Sequence, residues 1–208
     1  MPVPRSLLAQ GFVLSKTPAG RDGLLRSEVL ALCSGLLLCF QRQNDRSTPV
    51  ELFDFAELSL ERRSLQTEAW FIADYQPIQR YTAIAHNYQA FCYACNWVRW
   101  VRFRLSNVDF EHCQALCHLM ARALFAWQQG ARADIVYFKV IYLLARYEGL
   151  PLQEQWQASL LPEDQIAINS LLRTPIAEQS VELPQVARYL QALKLWLDGQ
   201  MGSGPSLL

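Results

Sequence analysis

The sequence has no excess of either charge: 19 Lys and Arg stand against 19 Asp and Glu in 208 residues. No global field therefore draws the chain to nucleic acid, and any such binding must come from local clusters. Histidine is scarce, with only His86, His112 and His118, all in stretches of helical periodicity. The Gly-x-Ser-x-Gly elbow, the Gly-x-x-x-x-Gly-Lys phosphate loop and the Gly-x-Gly-x-x-Gly turn are all missing. The adjacent acids Glu163 and Asp164 read as the first turn of a helix, where they complement its dipole. These absences predict a protein that is not an enzyme and uses no cofactor.

Long hydrophobic runs are lacking too. The longest, "LALCSGLLLCF" at 30–40, is interrupted by Ser34 and Gly35 and is too short to span a bilayer. "MPVPRSLLAQ" at the start carries no signal-peptide apolar stretch. The expectation is a cytoplasmic protein without a membrane segment. Its cysteines (Cys33, Cys39, Cys92, Cys95, Cys113, Cys117) then read as reduced thiols, mostly small buried hydrophobes.

What the chain does have is two regions of different period. Up to residue 77, short apolar runs alternate with turn signals. "QGFVLSK" at 10–16 precedes the turn cluster "TPAGRDG", "LLRSEVLAL" at 24–32 precedes Ser34-Gly35, and "LLLCFQR" at 36–42 precedes "QNDRSTP". "VELFDFAELSL" at 50–60 reads as a bulged or edge strand, and "EAWFIADY" at 68–75 as a strand ending before Pro77. Five such strands predict a small closed or half-closed barrel of the oligonucleotide-binding kind.

After Pro77 the period is helical. Residues 78–105 carry Ile84, Tyr88, Phe91, Cys95, Val98 and Val101 at i, i+3, i+4, i+7 spacing. "SNVD" at 106–109 predicts the start of a helix over 107–128, closed by Gly130. A third helix, 132–148, is apolar nearly all round, as the centre of a bundle is, and stops at Gly149. Pro162 opens a short helix to Arg173, and a last one over 180–199 stops at Gly199. The expected class is α+β: an oligonucleotide-binding-like five-stranded barrel (1–77), a helical bundle (78–200) and a loose tail (201–208).

The stretch "FCYACNWVRWVRFR" at 91–104 raises a metal question, since Cys92, Cys95, Cys113, Cys117 and His118 have zinc-like spacing. With the turn at 106–107, antiparallel helices place residue n level with about 212 minus n. Cys92 and Cys113 are then ~10 Å apart along the axis. Four sulfurs on one zinc lie within about 4 Å of each other, so the set fails, and the cysteines read as a close-packed seam. A three-ligand set of Cys95, Cys117 and His118 is a minor alternative.

Arginine placement is more informative. Residues 1–46 hold Arg5, Lys16, Arg21, Arg26, Arg42 and Arg46 against Asp22, Glu28 and Asp45. Loops and one strand face of such barrels bind single strands, with phosphates on basic residues and bases on aromatics. Lys16, Arg21, Arg26, Arg42 and Arg46 are therefore the candidate DNA-binding residues. No acid lies between Asp74 and Asp109. Trp97, Arg99, Trp100, Arg102, Phe103 and Arg104 in that span are candidate partner-binding residues, arginines beside aromatics fit to hold an acidic peptide end.

In "GFVLSKTPAGRDGLLRSEVLALCSGLLLCFQR", "TPVELFDFAELSL" and "IVYFKVIYLLARYEGLP" the chain resembles the RecO family of bacterial recombination mediators. Phe138, Leu143, Leu144, Gly149 and Pro151 fit that family's Phe-Glu-x-x-Leu-Leu-x-x-x-Gly-x-Pro pattern. The similarity covers roughly 10–195. The chain departs from it in lacking Cys-x-x-Cys pairs after Pro151, and its basic linker is reduced to "FQRQNDR". The resemblance implies a non-enzymatic role. It implies binding to single- and double-stranded DNA, strand annealing, contact with the acidic tail of single-strand DNA-binding protein, and work with RecR, often RecF, in loading RecA. A protein-interaction module with a degenerated DNA surface is the rival expectation.

Overall fold

The computed structural model describes residues 5–20, 23–42, 48–62, 68–105 and 110–201. The helix-starting box at 106–109 and nearly all of the expected tail lie outside the described residues. Five strands come first: β1 (Ser6–Pro18), β2 (Leu24–Ala31), β3 (Gly35–Arg42), β4 (Phe55–Glu61) and β5 (Trp70–Gln79). They close in the order β1-β2-β3-β5-β4. All pairings are antiparallel except β3 with β5, a short parallel contact (Cys39↔Trp70, Phe40↔Phe71) that completes the ring. This is the expected oligonucleotide-binding-like barrel.

Alternation fills the interior. Val13, Leu25, Val29, Leu37, Cys39, Leu58, Leu60 and Trp70 belong to one buried cluster, and Leu38 and Ser59, each between two of them, point outward. Gly11 permits the close approach of β1 to the end of β2, where it pairs with Ala31, because a Cβ there would sit 2.4 Å from the Leu30 carbonyl oxygen. Two strand ends differ from expectation. β5 runs through Pro77, which lies opposite Ala56 at a register shift; a bulge tolerates the missing N–H. β4 begins at Phe55 and not at residue 50. The residues before it fold over the barrel end, with Val50 in the core cluster and Phe53 N–H bonded to the Val13 carbonyl at 2.9 Å. Phe53 takes φ 71 to do this, a left-handed conformation costing ~1–2 kcal/mol outside glycine.

The first expected helix is shorter than its periodicity. A 3₁₀ turn spans Thr82–His86, and α1 covers Tyr88–Leu105, capped by Asn87 Oδ1 accepting from Ala90 N–H at 3.0 Å. Then follow α2 (Phe110–Gln128), α3 (Ala133–Tyr147), α4 (Pro162–Arg173) and α5 (Leu183–Met201), with a π turn at Leu152–Trp156. α3 is the central helix that its composition predicts: Ile135, Val136, Tyr137, Phe138, Val140 and Ile141 are all buried. It stops at Gly149, φ 75, where Leu150 N–H reaches the Ala145 carbonyl at 3.1 Å. Gly199 does not stop α5, which continues to Met201.

The chain divides into two compact units, one of residues 1–81 with 104–118, the other of 82–103 with 119–208. Among the described residues no helix is long and apolar enough to cross a membrane.

Candidate nucleic-acid interface

Outward-facing residues on the barrel form the candidate site. In β3, Cys39 is buried in the core, so Phe40 on one side and Arg42 two residues on project from the outer face. The same logic in β5 places Trp70 and Ile72 inward and Phe71 outward. Register then builds a row across all five strands: Thr17 opposite Arg26, Arg26 opposite Phe40, Phe40 beside Phe71, and Phe71 opposite Glu61. The Phe40 and Phe71 rings are tilted at 31° with centroids 5.9 Å apart. Both are half-buried, so each offers part of a face for a flat ligand ring.

The basic residues are less available than their positions in sequence suggest. Arg26 Nη2 lies 3.2 Å from Glu28 Oε1, and Glu28 also accepts from Ser15 Oγ at 3.2 Å. The Arg26 side chain keeps 49% exposure, so its outer edge faces solvent. Arg42, at the end of β3 and opposite Leu24, is exposed. Lys16 is directed elsewhere. A register shift after Val13 turns it opposite Ser27, where Nζ pairs with Glu51 and reaches the Val50 carbonyl at 3.5 Å. Of the five residues expected to bind DNA, Arg26 and Arg42 share the aromatic face and Lys16 does not. Arg21 and Arg46 lie outside the described residues.

Phe40 and Phe71 escape the sequence reading. A signal was present in "LLLCFQR": if Cys39 faces inward, Phe40 and Arg42 share the opposite face. Phe71 needed the β3–β5 pairing, which joins residues far apart in the chain.

No family model and no curated protein matches the chain.

The α1 stripe does not form the expected docking surface. Trp97 and Trp100 are 0% and 1% exposed, because they share a helix face with Ala94, Val98 and Val101, which are buried as well. Arg99 and Phe103 are exposed and Arg102 is half-buried, while the Arg104 side chain lies outside the described residues. The arginines are thus parted from the tryptophans meant to accompany them.

Basic and apolar groups meet instead on α3 and α4. A cavity of about 270 Å³ is lined by Lys139, Tyr142, Leu143, Arg146, Leu172 and Arg173, among others. A second recess of about 280 Å³ shares Lys139 and Leu143 with it and extends to Arg122 and Phe125. Lys139 Nζ donates to the Thr174 carbonyl at 2.7 Å, and burial lowers its pKa below the usual lysine value. Lys139, Tyr142, Leu143 and Arg146 stand at i, i+3, i+4, i+7, a stripe that carries two cations on a largely apolar helix.

Among the described residues no three His, Cys, Asp or Glu side chains converge as a metal site.

Proposed function

We propose that the outer β2–β3–β5 face of the barrel binds single-stranded DNA, with bases on Phe40 and Phe71 and phosphates on Arg26 and Arg42. The observation that carries this is the cross-strand row in which Arg26 stands opposite Phe40 and Phe40 beside Phe71. Stacking on one aromatic is worth ~1–3 kcal/mol per base and does not select sequence. Combined with the sequence resemblance, this supports a RecO-like recombination mediator. Such a protein acts in the cytoplasm without catalysis, anneals strands, binds duplex DNA as well, and helps RecA load with RecR.

The second element of that reading is the α3–α4 cavity. Lys139, Arg146 and Arg173 around Tyr142, Leu143 and Leu172 suit an acidic peptide with an apolar last residue, the chemistry of the single-strand DNA-binding protein tail. This cavity takes the role first assigned to the α1 stripe.

A rival reading, an interaction module with a lapsed DNA surface, has its own support. Glu28 faces Arg26, Glu61 faces Phe71, and Lys16 is tied to Glu51. Fluorescence anisotropy of a labelled single strand separates the two. Binding that weakens at least tenfold in a Phe40→Ala, Phe71→Ala double variant supports the stacking face. No binding by the parent protein at low salt leaves the interaction module.

A further inference from the structure

Three of the six cysteines gather at one place that nucleic-acid binding does not use. The β2–β3 turn holds Cys33, which is exposed, and closes at Gly35 with φ 71. A Cβ on Gly35 would lie 3.8 Å from the Cys113 sulfur, so the beginning of α2 rests against this turn. One helical turn along, Cys117 Sγ points to the Leu30 carbonyl oxygen at 4.0 Å, at the end of the strand leading into the same turn. Of these two α2 thiols, four residues apart on one helix face, Cys113 therefore lies against the short turn that carries Cys33, and Cys117 against the strand end that leads into it.

We propose that Cys33, Cys113 and Cys117 form a thiol-oxidation site, in which a peroxide oxidises Cys33 and a disulfide then joins the β2–β3 turn to α2. The three differ in access in the way this order requires. Cys33 is exposed to the oxidant, while Cys113 and Cys117 are buried. Burial raises the pKa of Cys113 and pushes that of Cys117 up to about 12, so both stay as thiols shielded from direct attack. In the first step the Cys33 thiolate attacks one peroxide oxygen, the O–O bond breaks, and hydroxide leaves to become water. In the second, an α2 sulfur attacks the sulfenic sulfur, the S–S bond forms, and the hydroxyl leaves as water with the thiol proton. Two thiols together lose two electrons and two protons, and one hydrogen peroxide becomes two waters. Cys39, sealed in the barrel core at 0% exposure, takes no part.

The test is peroxide treatment of the full chain, alkylation of remaining thiols, and mass mapping of a non-reduced digest. The expected product is a peptide joining Cys33 to Cys113 or Cys117, lost on addition of dithiothreitol and absent from a Cys33→Ser variant. The oxidised protein should also melt several degrees higher than the reduced one, because the new bond closes a long loop, and Cys33→Ser should show no such rise. Since Cys33 is exposed, that variant keeps the fold and the comparison stays clean. Finding Cys33 only over-oxidised or joined to a second molecule overturns the proposal. So does a link that forms in urea but not in the native protein.

Discussion

At the residue scale, Asp54, just before β4, is a buried carboxyl. Its carboxylate is 1% exposed, with Arg80 Nε at 3.7 Å, and it accepts the Tyr75 hydroxyl at 2.7 Å. Burial raises its pKa, and the Tyr75 bond and Arg80 only partly oppose that rise. A carboxyl whose folded pKa lies above its unfolded one favours folding most when protonated, so its contribution is present at acid pH and lost as pH rises through the folded value. The Tyr75 bond works the other way, since it favours the ionised form. Tyr75→Phe should therefore destabilise the protein by ~2 kcal/mol where Asp54 is ionised, because a buried carboxylate then loses its donor. The loss should shrink as pH falls through the Asp54 titration. Urea unfolding of parent and variant at several pH values checks this, and a pH-independent difference would show that the bond does not favour the ionised form. The thiols offer a second residue-scale check. Cys39 and Cys117 are each pushed up to about 12 by burial. At pH 8 only ~1 in 10,000 of either is thiolate, so iodoacetamide should label Cys33 long before them in the native protein.

At the scale of elements, the tightest contact is where Gly11 of β1 pairs with Ala31 at the end of β2. Any side chain at Gly11 meets backbone, with the Leu30 carbonyl oxygen at 2.4 Å and the Ala31 Cα at 2.8 Å from a Cβ. Neither can swing aside as a side-chain tip could. Gly11→Ala is expected to destabilise by ~3 kcal/mol, at the upper end of ordinary overpacking, seen as a lower thermal midpoint. An unchanged midpoint would mean that the two strands part easily. Much of this level was legible in the sequence. Alternation and turn residues announced five strands, and Gly130, Gly149 and Pro162 bounded helices as their backbone chemistry requires. What escaped was set by partners distant in the chain. Pro77 reads as a strand end, yet the bulge opposite Ala56 absorbs it. Trp97 and Trp100 read as partner-binding candidates beside the arginines, yet both are buried. Val50 reads as the start of a strand, but the chain uses it to close the barrel end. Phe71 joins the candidate site through a parallel pairing only two residues long, which no local pattern encodes.

For the whole molecule, the balance of 19 positive against 19 negative groups limits how the proposed face would hold DNA. Affinity for a single strand falls with salt at a log–log slope of ~0.7 per phosphate contact. If all five expected residues touched phosphates, the slope would be about −3.5 by the same rule. Lys16 is committed to Glu51 and sits off the aromatic face, so it should contribute nothing. Arg26 and Arg42 alone give a slope of about −1.4, leaving stacking to supply most of the remaining affinity. Titrations between ~50 and ~200 mM salt measure it directly. Lys16→Ala should leave the slope unchanged, whereas Arg42→Ala should make it shallower by ~0.7. The slope also separates the ways such a surface could act. A shallow slope with strong dependence on Phe40 and Phe71 means that the protein grips bases, which would hinder annealing unless bases are released at pairing. A slope near −3.5, unmoved by the phenylalanines, would instead place the strand along the backbone-binding loops and remove the β2–β3–β5 face from the site.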